Sequence, residues 1–123
     1  MFDKTFARQL VEQVLEAVRR IEVRSQSITA ADDFHGSEEN LEHLDSISMM
    51  LITIGENIKK FDKMTEGTIL WQYPQVPWPG VKGVRDVLAH DYFNIDAEEI
   101  FSICKNDVPV LKVTLLKIDE GLR

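Results

Sequence analysis

The sequence predicts an all-α fold, a four- to five-helix up-and-down bundle forming one domain over residues 1–123. Three observations predict it. Apolar residues recur at helical spacing in four stretches. Sustained polar–apolar alternation and Asn-Gly or Asp-Gly hairpin turns are missing from the sequence. The first two stretches are long and joined by a short loop, as in an antiparallel helix pair.

The first helix is expected from about Thr5 to Ile28. Phe6, Leu10, Val14, Val18 and Ile21 form its apolar stripe, widened by Val11 and Leu15, and Arg8, Glu12, Glu16, Arg19 and Arg20 mark its wet side. Ala30 to Gly36 reads as a loop. Ser37 is a good N-cap for a second helix reaching about Lys63, with Leu41, Leu44, Ile47, Leu51, Ile54, Ile58 and Phe61 on one face. Met49 and Met50 read as core filler.

From Met64 to Pro79 the periodicity stops, because Gly67, Pro74, Pro77 and Pro79 oppose helix. Trp71, Tyr73 and Trp78 carry too much apolar area to leave in water and are expected to pin this stretch to the bundle. A third helix begins near Pro79 or Gly80, turns Val81, Val84, Val87 and Leu88 inward, and ends around Asp91 to Asn94. The fourth opens at Asp96, with Glu99 completing a capping-box pattern. Its apolar positions are Ile100, Ile103, Cys104, Leu111, Leu115 and Ile118. Pro109 lies inside it and predicts a kink or a break.

Composition bounds the function. Apolar residues make up 44% and charged residues 28%, values of a folded domain rather than a disordered chain. The lone cysteine, Cys104, forms no internal disulfide and reads as a small core residue. No stretch has the length of a signal peptide or a membrane span, so a cytoplasmic protein is expected. A net charge of −7 opposes non-specific RNA binding, which needs local Lys and Arg, and makes a basic partner plausible.

The residues richest in chemistry are Arg85-Asp86-Val87-Leu88-Ala89-His90-Asp91-Tyr92. On a helix, Asp86 and His90 lie one turn apart on one face, where the carboxylate can orient the imidazole and raise its pKa. Arg85 and Tyr92 also share a face. Arg85 and His90, however, are separated by about 140° on an ideal helix. A site shared across a symmetric dimer removes that difficulty. Such a set suits RNA cleavage without a metal or cofactor, since RNA carries its own nucleophile, the 2′-OH. His90 would move a proton, Arg85 would hold the phosphate with two hydrogen bonds, and the Tyr92 phenol would donate to a phosphate oxygen. The residues alone leave a second reading open: Arg85, Asp86 and Asp91 in surface ion pairs, with His90 capping a helix end.

Context adds to the motif. Arg85…His90-Asp91-Tyr92 matches Arg-x4-His-x-Tyr, and the sequence around it resembles HepT-like HEPN proteins in order. Ile54–Lys60 (IGENIKK) is similar to their Gly-Glu step, Tyr73–Asp96 to their Pro-Trp approach to the motif helix, and Asn106–Lys112 (NDVPVLK) to their Asp-x-Pro-x-Leu tail. The resemblance implies a helical homodimer acting as a metal-independent RNase toxin. It implies a minimal nucleotidyltransferase antitoxin as partner, able to transfer AMP to Tyr92. It maps Arg85 and His90 onto the catalytic pair. Asp86 stands where many relatives carry Asn, and a carboxylate there repels RNA unless it pairs with Arg85 or His90. The competing reading is an inactive dimer serving as binding module or substrate for the transferase; a nucleotide-binding sensor is a further alternative.

Other features are weaker. Gly55 in mid-helix costs about 1 kcal/mol relative to Ala, so close approach of a neighbour is expected there. Glu56 is then either solvated or a supporting partner of Arg85. His35 and His43 read as surface histidines, and Glu39/His43 alone is poor evidence for a metal. Arg19, Arg20, Arg24, Lys59, Lys60 and Lys63 fall near helix ends, as dipole partners or as a rim for RNA. Phe6, Phe34 and Phe93 are candidates for a dimer seam.

Overall fold

The computed structural model describes residues 2–90 and 92–123, with the backbone alone described at Ala89, His90 and Tyr92. Among the described residues there is no strand. Five α-helices follow in order: α1 (Lys4–Ser25), α2 (Glu38–Met64), α3 (Trp78–His90), α4 (Ala97–Ser102) and α5 (Val108–Gly121). Short 3₁₀ turns cover Ala31–His35, Leu70–Gln72 and Tyr92–Asn94.

Capping accounts for the helix starts. Asp3 accepts from the Phe6 amide at 3.2 Å, and Ser37 accepts from the Asn40 amide at 3.0 Å. Asp96 accepts from the amides of Glu98 and Glu99 at 3.0 and 3.3 Å. Helix α2 stops where Glu66 and Gly67 turn left-handed (φ 54° and 71°), and the Gly67 amide donates back to the Asp62 carbonyl.

Helices α1 and α2 run antiparallel, and Asn57 of α2 donates to Gln13 of α1 at 3.0 Å across their contact. Helix α5 lies antiparallel to α1, as Lys112 meets Glu22 at one end while Asp119 meets Arg8 at the other. The core contains Val11, Val14, Ile21, Ile54, Phe61, Leu115 and Ile118. This is the expected up-and-down bundle.

Several expectations need correction. The 3₁₀ turn before Ser37 buries Phe34 completely, so Phe34 belongs to the core and not to a seam. Trp78 is buried, its indole donating to the Tyr73 carbonyl at 3.0 Å, but Trp71 is 73% exposed. Leu70 and Val76 do the pinning instead. Phe6 and Met49 are exposed, as is Val87 at 63%. In each case the helical face was read too wide: periodicity orients a stripe but does not say where the neighbouring helix ends.

Pro109 does not kink a continuous helix. It occupies the first turn of α5, and a π-helical turn, Ile103–Asp107, joins α4 to α5 ahead of it. The proline's missing donor is harmless in a first turn, and the wider π turn absorbs the change of path. Cys104 lies half-buried in this turn, and burial pushes its thiol up to about 11, so it stays protonated and unreactive at neutral pH. No described helix is long and apolar enough to cross a membrane.

Candidate active site on helix α3

Helix α3 is held against α2 by an unusually close approach. Gly55 is buried, and a β-carbon there would stand 2.7 Å from the Val81 carbonyl oxygen and 3.2 Å from a Val84 methyl. Only glycine permits this spacing, which explains a mid-helix residue that otherwise weakens α2.

The close contact sets the register of the polar groups beside it. Arg85 Nη1 donates to Glu56 Oε1 at 3.5 Å, and Lys59 Nζ lies 3.7 Å from the same oxygen. One turn back on α3, Lys82 pairs with Asp62 of α2. Glu56 thus sits between two cations, while the Arg85 side chain remains 58% exposed and available to an anionic ligand. Asp86 is exposed next to it, and Arg85 pairs with Glu56 rather than with Asp86.

Helix α3 continues without a break from Arg85 through His90, and the 3₁₀ turn Tyr92–Asn94 follows. The expected catalytic side chain of His90 and the expected modified side chain of Tyr92 lie outside the described residues, as does all of Asp91. The angular offset of about 140° between positions 85 and 90 therefore persists in the backbone, with no unwinding between them.

Lys59, Asp62 and Lys82 were not singled out from the sequence. The i, i+3 spacings Glu56/Lys59 and Lys82/Arg85 were available signals; the α2–α3 register that joins them was not. The six basic residues near helix ends do not form one rim. The antiparallel pair sends Arg19, Arg20 and Arg24 toward one end of the bundle and Lys59, Lys60 and Lys63 toward the other, and Glu16 engages Arg19 and Arg20 at 2.8 Å. Only the second group neighbours Arg85. His43 lies 3.7 Å from Glu39, and no described group of His, Cys, Asp or Glu is arranged to hold a metal.

Comparison with known proteins bears on this surface. The family model described as "Ribonuclease HepT-like" matches residues 14–118. A protein of Methanocaldococcus jannaschii named "Gamma-glutamylcyclotransferase and putative RNase" is 31% identical over 91% of this chain and 47% of its own length. A "Putative RNase" of the same organism is 30% identical over 74% of this chain and 79% of its own length. A "Probable ribonuclease HepT" of Thermococcus cleftensis is 38% identical over 32% of this chain and 36% of its own length. The chain spans about half the length of several curated relatives it matches, 47%, 59% and 46% in three of them. No solved structure matches it with significance.

Proposed function

The chain belongs to the ribonuclease HepT-like family, and on that footing we propose that it is a metal-independent endoribonuclease toxin whose site forms around Arg85, His90 and Tyr92 between two copies of α3. The observation that carries this reading is the exposed Arg85 guanidinium, fixed from behind by Glu56 at 3.5 Å on the face of the motif helix. Lys59 and Lys82 add positive charge beside it, which an acidic chain needs locally to attract RNA.

The chemistry is in-line transfer. The His90 imidazole removes the proton of a ribose 2′-OH, whose oxygen attacks the adjacent phosphorus. The phosphorus–O5′ bond breaks, leaving a 2′,3′-cyclic phosphate, and the departing 5′-oxygen receives a proton from an imidazolium. Arg85 neutralises charge on the phosphorane. The unbroken helix between positions 85 and 90 supports a composite site, since one copy alone turns the two side chains' attachment points apart. Regulation follows the same geometry: AMP added to Tyr92 by a nucleotidyltransferase antitoxin brings bulk and negative charge to a phosphate site.

The test is cleavage of RNA in EDTA. Wild type is expected to cut, and Arg85→Ala and His90→Ala each to lose about 100-fold or more. Equal rates for wild type and both variants would remove the site. Exposed Asp86 beside Arg85 favours a second reading, an inactive dimer that serves as scaffold or substrate of the transferase. Under it, wild type fails to cut RNA and expression of the chain alone is harmless, yet it co-purifies with the transferase and gains AMP mass that Tyr92→Phe abolishes.

A further inference from the structure

A groove of about 500 Å³ opens between α3, the turn after it, and the π turn leading into α5. Val84, Val87, Leu88, Ile103, Val110 and Leu111 give it apolar walls. Val87 and Val110 are 63% and 43% exposed on its rim, which is a large apolar surface for a monomer to leave wet. At the rim the chain carries Phe93, 99% exposed, immediately before Asn94 and Ile95, which line the groove. A knob and a hole therefore lie side by side on one face.

We propose that the occupant of this groove is Phe93 of a second copy, inserted reciprocally across a twofold axis. A twofold contact uses the same patch on both subunits, so it requires an anchor and its receptor next to each other on one surface. The sizes agree: a cavity of about 150 Å³ already accommodates a benzene ring. The patch also extends beyond the groove, as Val110 begins an exposed apolar stripe along α5 with Val113 and Leu116. A single ring in a pocket is too small for a stable interface, which buries about 1,200–2,000 Å², and the stripe supplies adjoining surface. The pairing sets the two α3 C-termini against each other. This inference rests on the dimeric reading given above and names the contact that makes the dimer.

Sedimentation equilibrium on the full chain tests it. Wild type is expected to be dimeric at micromolar concentration. Phe93→Ala and Val110→Asp are each expected to raise the dimer dissociation constant about 30-fold or more, the effect of losing an interface hot spot. Both positions are exposed, so urea unfolding of the monomer should be unchanged. A benzophenone amino acid placed at position 93 should cross-link to the other copy within α3 or residues 103–111. A monomeric wild type, an unaffected Phe93→Ala dimer, or cross-links elsewhere would overturn the contact. A dimer that weakens as expected while wild type fails to cleave RNA would leave this contact standing and end the nuclease reading alone. Cleavage by a dimer indifferent to Phe93→Ala would do the reverse.

Discussion

Gly55 lies directly against the Val81 carbonyl, so close that a β-carbon on it would stand 2.7 Å from that oxygen. The listed obstacle is backbone, which yields far less readily than a side-chain tip. This contact sets the distance from α2 to the helix carrying Arg85, and it makes Gly55 a point where stability and site geometry are linked.

Gly55→Ala should therefore destabilise the fold. Alanine gains about 1 kcal/mol of helix propensity, but forcing α3 outward costs about 1–3 kcal/mol as overpacking does. A net loss of roughly 1–2 kcal/mol is expected from those two figures, seen as a lower urea midpoint at unchanged slope. A raised midpoint would mean that α3 does not pack as described.

Glu56→Gln should separate positioning from stability. The Glu56–Arg85 pair is partly exposed and 3.5 Å long, so its removal should change stability by less than about 0.5 kcal/mol. If Arg85 holds the phosphate, loosening it should lower kcat about tenfold, as modest misplacement of a catalytic group does. Single-turnover cleavage with saturating RNA checks this; an unchanged kcat would make Glu56 a bystander.

How much of this was legible beforehand depends on the range of the interaction. Ser37, Asp96 and Gly67 act within a few residues, and each did what its type predicts at a helix end. Gly55 was legible as a violation: a poor helix former in mid-helix needs a neighbour to justify it. The contacts of Lys59, Asp62 and Lys82 depend on the α2–α3 register, which no local spacing encodes. Trp71, Met49 and Val87 fit an apolar stripe in sequence yet lie beyond the edge of what covers it. The basic residues at positions 19–24 and 59–63 looked like one set only until antiparallel packing sent them to opposite ends.

Asp119 ties α5 to α1 and should be the most sensitive charged position outside the site. Its carboxylate is nearly buried, 3.6 Å from Arg8 Nε and 3.2 Å from Arg123 Nη2. Asp119→Ala leaves the buried Arg8 Nε without its counter-charge, and loss of about 2–4 kcal/mol is expected. Arg123→Ala removes a mostly exposed partner and should cost less than about 1 kcal/mol. Equal effects from the two variants, measured by urea denaturation, would contradict this division of roles.

Acid should weaken the fold through two carboxylates in particular. The Thr29 amide, with the Thr29 hydroxyl and the Ala30 amide, donates to one Asp33 oxygen and holds Asp33 below its ordinary value of 3.8. Hydrogen bonds from Arg19 and then Arg20 bring Glu16 from 4.5 to about 2. Both values are depressed by folding, so in acid the unfolded chain binds more protons than the folded one, and stability rises with pH through that range. Their contributions are complete above the ordinary carboxylate values and are lost as pH falls from about 5 toward 2. Thermal unfolding across this range should show a shallower pH slope for Asp33→Asn and for Glu16→Gln than for wild type. The Glu16 share, being fully exposed, should shrink in 1 M salt at a Debye length of about 3 Å, whereas the Asp33 share, resting on short local hydrogen bonds, should largely persist. Identical slopes for wild type and both variants would show that acid acts elsewhere in the bundle.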